Sequence, residues 1–555
     1  MSVHGSIVRR GGAWLPVLAV SSLGGAAVSL ALPAALGRAV DAIVAGSGAR
    51  GALLLVTLLI AAGVAADLLD TFAGTLCVAS TTVWLRRKVL GHLLDLPPAT
   101  AARFDTGDLV SRVSGNAPQA AQSGIALVTV VAAAAPPVGS LVLLALIDWW
   151  TAAAFLAGLG VIALMLRTYT RRTTQAVADY QRVQGELAGR LTEALDGART
   201  IAAAGTVAAE RERILRGLPE LHRFGRMTWR VLAGTGAKAA IVGPMVLMSV
   251  LAVGGLALAA HRITAGELFA AGQYAMQGAG LGGLTGVLGG LARARAGVRR
   301  MDEVLSEAPM SYGDRALPEG PGRLELRDVT VDESGRRVLD GVTLDLPGGT
   351  VVAVVGRSAA GKSTLAAVAA RLRDPDAGTV SLDGVPLDRL DRGALREAVA
   401  CAFERPVLVG ETVGDAIGLG RGEGYVRRAA EAAYAHDWAG RLPDGYATAL
   451  DAAPMSGGEA QRLGLARAWG ARRVLVLDDA MSSVDTATEA QIREALTRDH
   501  GGRTRLIVTH RASTAARADL VVWLDGGEVA GLGSHEALWA DPGYRAIFTV
   551  GEDRG

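Results

Sequence analysis

Six apolar stretches in the first 300 residues are long enough to cross a bilayer. They run over about 14–37, 52–79, 124–147, 151–168, 238–260 and 268–292. A helix needs about 20 such residues to span a hydrocarbon core ~30 Å thick. Two intervening segments, 80–122 and 169–230, keep a helical period but are rich in Arg, Glu, Gln and Ala. They predict membrane helices that run far beyond the bilayer and return. The texture then changes. Residues 306–322, with Pro309, Pro318 and Pro321, read as a linker. Beyond it, Val351–Val355, Val474–Leu477 and Leu506–Thr509 are short β-branched or aliphatic runs, the pattern of buried strands. The chain therefore predicts a multidomain membrane protein. An all-α transmembrane domain of six helices with long cytoplasmic extensions, 1–305, precedes an α/β domain over 323–555.

Charge sharpens this division. Residues 1–300 hold 27 Lys and Arg against 15 Asp and Glu, a net of +12; the remainder holds 29 against 39, a net of −10. The basic residues cluster at Arg9-Arg10, Arg86–Lys88, Arg167–Arg172, Arg223–Arg230 and Arg293–Arg300, all at the same side of the six spans. The positive-inside rule makes that side the cytoplasm, with the N-terminus and the C-terminal domain on it. Trp149 and Trp150 fall at the opposite interface, where amphipathic rings are favoured. A cleavable signal peptide is the alternative for the first span, but its apolar run exceeds an ordinary signal and five more spans follow. Only two cysteines, Cys77 and Cys401, are present, which excludes a disulfide framework. Only three of the 56 basic residues are Lys, and Ala and Gly abound, which points to a GC-rich bacterial source and so to the cytoplasmic (inner) membrane.

Two features lie within the apolar spans. Asp67 and Asp70, three apart, share one helical face. Carboxylates at that depth serve a cavity or a proton path, pair with a basic group such as Lys238, or mark a span that begins elsewhere. Gly278, Gly282, Gly286 and Gly290 form a ridge of small residues, for close helix packing or for a flexible, cavity-lining stretch.

The α/β half carries a phosphate site. The Val351–Val355 run leads directly into Gly356-Arg357-Ser358-Ala359-Ala360-Gly361-Lys362-Ser363-Thr364, a G-x-x-x-x-G-K-[ST] loop between a strand and a helix. Glycines let backbone N–H groups turn toward phosphates, and the following helix N-terminus adds positive potential. Lys362 can reach the terminal phosphates, and the Ser363 hydroxyl can ligate Mg²⁺. A compact ammonium stands here in a chain that otherwise uses Arg. The Val474–Leu477 run ends in Asp478-Asp479, where a carboxylate suits Mg²⁺, and a third run ends at His510. Ser456-Gly457-Gly458-Glu459 precedes a helical run, a second place for an anion.

In order and spacing these motifs resemble those of the ABC transporters of the exporter type, in which a six-helix membrane domain is fused to one nucleotide-binding P-loop ATPase domain. Gly356–Thr364 resembles the Walker A motif, Val474–Asp478 Walker B and Ser456–Glu459 the signature motif. Ser482-Ser483-Val484-Asp485 resembles the D-loop and His510 the switch histidine. Phe104 with Gly107–Arg112 resembles the first intracellular coupling region. The resemblance implies ATP and Mg²⁺ as cofactors, with Gly356–Thr364 on the phosphates and Ser363, Asp478 and Glu404 at the metal. It assigns catalysis to Asp479, His510 and Glu404. It also implies a second half-transporter, because each ATP lies between the Walker motifs of one chain and the signature residues Ser456, Gly457, Gly458 and Glu459, with Asp485, of the other. The bilayer and an unidentified cargo complete the partners.

Several positions depart from that family pattern. Asp479 replaces a glutamate, and Glu404 a glutamine. The adenine-stacking aromatic is missing near Val331–Glu333, and Ala359 replaces a common glycine. The chain is about two residues short between Thr448 and Met455, without an acidic-glycine loop. These departures predict the slow-site half of a heterodimer. An active homodimer, an importer on this fold and an ATP-binding regulatory or channel-like subunit are the alternatives. Few aromatics and few intramembrane charges favour an amphipathic, lipid-like or peptide cargo. A soluble DNA-repair ATPase is excluded by the six spans, and the acidic C-terminal half gives no nucleic-acid partner.

Overall fold

The computed structural model describes residues 5–7, 14–279, 282–333, 335–498 and 502–549. The chain forms two compact units: residues 1–94 with 105–306, and residues 95–104 with 307–555.

The first unit is helical. Its principal helices are Trp14–Val44, Ala49–Asp95, Ala126–Ile147, Trp149–Asp196, Leu218–Ala259, Ala265–Ala279 and Gly282–Leu305. Among the described residues four helical stretches are long and apolar enough to span a membrane: Trp14–Val44, Ala49–Asp95, Ala126–Ile147 and Ile241–Ala259. The fourth expected span opens the 48-residue helix Trp149–Asp196, although most side chains over 162–177 lie outside the described residues. The sixth span crosses 280–281, also outside them. At a rise of ~1.5 Å per residue, helices of 47 and 48 residues reach about 70 Å, more than twice a hydrocarbon core.

The glycine ridge divides. A Cβ at Gly278 would drive into the Phe155 ring, whereas Gly286 and Gly290 face open space. Gly286 and Gly290 line a cavity of about 320 Å³ with Gln122, Thr129 and Arg293. Gly282 and Lys238 lie outside the residues whose side chains are described. Asp67 and Asp70 line another cavity, of about 430 Å³, with Ser21, Ser22 and Ser29. Asp70 accepts hydrogen bonds from the Ser22 and Ser21 hydroxyls.

The second unit holds two sheets. β1 (Leu324–Glu333), β2 (Arg336–Leu346), β4 (Ala377–Leu382) and β5 (Val385–Pro386) form an antiparallel sheet in the order β2-β1-β4-β5. The larger sheet contains β3 (Val351–Gly356), β6 (Val399–Phe403), β7 (Val474–Asp478), β8 (Thr504–Val508), β9 (Leu520–Asp525) and β10 (Glu528–Gly533). Its order is β10-β9-β3-β8-β7-β6, parallel except for β10. Its inner strands are apolar on both faces because both are covered. Val352, Val354, Val474 and Val476 pack toward the antiparallel sheet with Leu324, Leu326 and Leu344. Leu475, Leu477 and Ile507 face helices carrying Ala429, Trp438 and Leu463.

The segment read as a linker is tied to this unit. The Tyr312 ring lies under two guanidinium groups, Arg371 at 4.7 Å and Arg392 at 5.5 Å. The Gly313 N–H donates to the Leu390 carbonyl at 3.1 Å.

Candidate functional site

The parallel strands end on one side, and each chain exit there carries a polar group. β3 turns at Gly356, where a Cβ would collide with the Leu524 carbonyl of the neighbouring β9. The loop reverses through Ala359 at φ 63° and Gly361 at φ 96° before the Lys362–Ala369 helix begins. Only glycine takes such angles freely, so Ala359 holds its turn with strain that Gly361 avoids. Lys362 is buried inside this loop, and its Nζ donates to the carbonyls of Gly356 at 3.0 Å and Arg357 at 2.9 Å. Burial pushes its ammonium below the usual lysine range, against the pull of Asp479 and Asp478.

β7 delivers Asp478 to the same place. The Ser363 hydroxyl donates to Asp478 Oδ1 at 3.0 Å. Burial raises the Asp478 carboxyl above the ordinary range; Ser363 opposes this, while neighbouring Asp479 and Glu404 add to it. Asp479 sits at φ 47°, a left-handed turn that Asp tolerates better than most residues. Its Oδ2 lies 3.4 Å from His510 Nε2, beyond the end of β8.

A cavity of about 480 Å³ joins these groups. Ser358, Ala359, Gly361–Thr364, Glu404, Asp479 and His510 line it. So do Glu333, Arg336, Arg337 and Val338 of the β1–β2 hairpin. The two arginines are functional candidates that a search for an aromatic ring overlooks. Asp332 pairs with Arg337 across the hairpin, and Glu333 with Arg336. Cys401 of β6 is no nucleophile: burial pushes its thiol up to about 12.

The signature segment is a helix start. Ser456 caps the Gly457–Ala468 helix, and Glu459 reaches back to the Ser456 backbone N–H at 2.6 Å and to its hydroxyl, a closed capping box. Burial alone would raise the Glu459 carboxyl, but the bonds from Ser456 and the charge of Arg462 together hold it below the usual range. The buried Gln461, missed in the sequence, ties three segments. Its Nε2 donates to the Glu404 carbonyl at 2.7 Å and to Ser482 Oγ at 2.9 Å. Its Oε1 accepts from the Ser483 N–H at 2.8 Å. The available signal was an amide on the stripe Gln461, Leu465, Ala468, otherwise apolar. Asp485 caps the Thr486–Arg498 helix by accepting from the Thr488 N–H at 2.9 Å. Thus Gly356–Thr364, Glu404, Asp478, Asp479 and His510 converge, whereas Ser456–Glu459 and Asp485 belong to two helix starts that lie outside the residues lining that cavity.

Comparison with known proteins agrees with this architecture. Residues 15–279 match the family model described as the ABC transporter transmembrane region, and residues 339–482 the ABC transporter model. The chain is 45% identical over 535 residues to the ABC transporter ATP-binding protein RamA of Streptomyces coelicolor, covering 96% of this chain and 84% of that one. It is 29% identical over 476 residues to the ATP-dependent lipid A-core flippase of Salmonella typhimurium, covering 83% and 81% respectively. A solved bacterial Atm1-family ABC exporter with ATP bound superposes with a TM-score of 0.78 at 25% identity, covering 96% of this chain and 97% of that one. A helical membrane unit and an ATPase unit fused in one multi-pass chain, with these matches along both, make the protein a member of the ABC transporter family: a half-transporter of the exporter type that couples ATP hydrolysis to transport.

Proposed function

We propose that this chain is the slow-site half of a heterodimeric exporter that moves an amphipathic, lipid-like or peptide cargo across a bacterial cytoplasmic membrane. Its N-terminus and ATPase unit lie on the cytoplasmic side, the side of the basic clusters. The observation that carries the reading is Asp479. A carboxylate here positions the attacking water, and Asp is about 1.5 Å shorter than the Glu of the family pattern. Misplacement by ~1 Å can cost about 10²-fold in rate. The Asp479 carboxylate already faces His510 at 3.4 Å.

The donor set fits Mg²⁺. Asp478, Asp479 and Glu404 concentrate negative charge beside the Ser363 hydroxyl, and that excess helps raise the Asp478 carboxyl. Among the described residues no three His, Cys, Asp or Glu side chains form a metal centre alone. Mg²⁺ is ordinarily bound by one or two carboxylates together with phosphate oxygens. Ser363, Asp478 and Glu404 would hold it, and it would neutralise charge on the phosphates. Lys362 and the Gly356–Thr364 backbone bind and orient the triphosphate. Arg336 or Arg337 would cover the adenine face where no ring stands, since a guanidinium stacks on aromatic planes. Ser456–Gly458 would complete the partner's site.

The lipid A-core flippase likeness, together with the low aromatic content, supports an amphipathic cargo. Retained His510 favours the second reading, an active homodimer. Purified chain alone discriminates. Little ATP hydrolysis without a partner is expected, and vigorous turnover by the chain alone would sink the heterodimer. Within the heterodimer, with the partner's site disabled, Asp479→Glu should raise hydrolysis by up to ~10²-fold. An unchanged rate would show that Asp479 is not what slows the site.

A further inference from the structure

The Thr486–Arg498 helix buries Ile492 and Leu496, and on the same stripe it buries a carboxylate, Glu489, at 2% exposure. A charge removed from water to that degree persists only with partners. Two guanidinium groups provide them. Arg493 Nη2 lies 2.7 Å from Glu489 Oε1, one turn along the same helix. Arg511 Nη1 contacts Glu489 Oε2 from a different element. Arg511 directly follows His510, and its backbone N–H donates to Thr509 Oγ1 at 3.1 Å. At the other end, the Glu489 N–H donates to the Asp485 carbonyl at 2.8 Å, the last residue of Ser482–Asp485. A pocket of about 310 Å³ lies among Glu404, Asp479, Ser482, Glu489, His510 and Arg511. Glu489 thus touches both loops that border it, the His510–Arg511 turn through its carboxylate and Ser482–Asp485 through its backbone N–H.

We infer that Glu489 is a positioning residue for ATP hydrolysis. By holding Arg511 it fixes the turn that carries His510, so the imidazole keeps its place beside Asp479. Because its helix begins at Asp485, a shift of Ser482–Asp485 also reaches His510 through the Glu489–Arg511 contact. The Arg493 contact balances the buried charge while Arg511 moves. This inference rests on the reading of His510 as a residue of the hydrolytic site.

The test is a double-mutant cycle in the full-length transporter, assembled as the dimer that turns over ATP and, in a heterodimer, with the partner's own hydrolytic site disabled, with melting temperature and ATP binding as controls. Glu489→Gln keeps the shape and removes the charge. Its kcat should fall about tenfold with KM unchanged, the pattern of a group felt only in the transition state. In a His510→Ala background the same substitution should cost nothing further, because residues acting as one unit are not additive. Arg511→Gln breaks the contact from its half-exposed end and should give the same result, which covers poor folding of Glu489→Gln. Undiminished kcat, or losses that multiply in the double variant, would overturn the inference. So would a matched fall in melting temperature and activity in both variants, the mark of a purely structural ion pair. If His510→Ala alone leaves the rate unchanged, the reading of His510 fails first.

Discussion

Ala359 shows how one methyl group enters the energetics of the phosphate loop. An L-residue in left-handed backbone costs roughly 1–2 kcal/mol, and a glycine there gives back part of that through its freer unfolded chain. Ala359 at φ 63° lies in that region. Ala359→Gly should therefore stabilise the protein by a net ~0.5 kcal/mol, read as a small rise in melting temperature. A fall would mean that the methyl group packs favourably enough to outweigh the strain. The neighbouring glycines admit no such exchange. At Gly356 a side chain meets the Leu524 carbonyl, and at Gly361 it meets the Val338 carbonyl at 2.7 Å. Both contacts are with backbone, which cannot give way, so substitution there should remove ATP binding rather than tune it.

At the scale of one element, the Gly457–Ala468 helix depends on the ionised Glu459 for its first turn. The folded-state carboxyl of Glu459 lies below its ordinary value. Its stabilisation is thus present above the ordinary glutamate value of about 4.3 and is lost as pH falls through the lower folded value. Amides of Ser456–Ala460 should lose protection against hydrogen exchange below pH ~4. Glu459→Gln should abolish that pH dependence, because a glutamine closes the box without titrating. Persistence of the loss in the variant would assign it to another group. How far these elements could be read beforehand follows from how local their signals are. β3, β7 and β8 are uninterrupted apolar runs, and the polar residues at their ends stand out against them. Gly356–Lys362, Asp478 and His510 were legible for that reason. The hairpin wall at Arg336 and Arg337 was not, because the position of β2 depends on a sheet in which β4 inserts beside β1. Glu489 was missed likewise: its partner Arg511 lies on a separate loop, and nothing in the local pattern joins them.

At the scale of the whole molecule, the question is how ATP chemistry reaches the membrane helices. The sequence motif assigned to coupling was Phe104 with Gly107–Arg112. The compact units divide it: residues 95–104 cluster with the ATPase, while 105–112 stay with the helices. Arg112 is held on the helical side by Asp108 at 2.7 Å and Glu303 at 3.0 Å. On the ATPase side, Asp95 ends the 47-residue helix Ala49–Asp95 and binds Arg392 at 2.7 Å, while its carbonyl accepts from the Met310 N–H at 2.9 Å. Arg392 also covers Tyr312 of the 306–322 segment. Within this unit, Asp95 and Tyr312, from two separate stretches of chain, therefore meet at one arginine. The ion pair is exposed, so its worth in stability is under about 1 kcal/mol, and its loss should leave folding intact. Whether it also carries coupling is tested separately from that small energy. Arg392→Glu places two acids face to face and should leave ATP hydrolysis within about twofold, since Arg392 lines neither cavity at the phosphate loop and an exposed pair is weak. The ATP-dependent change in hydrogen exchange over Ala126–Ile147 should shrink, and Asp95→Arg in the same chain should restore it by reversing the pair. If that change survives Arg392→Glu in full, force passes through other contacts, and the shared arginine only fastens the chain.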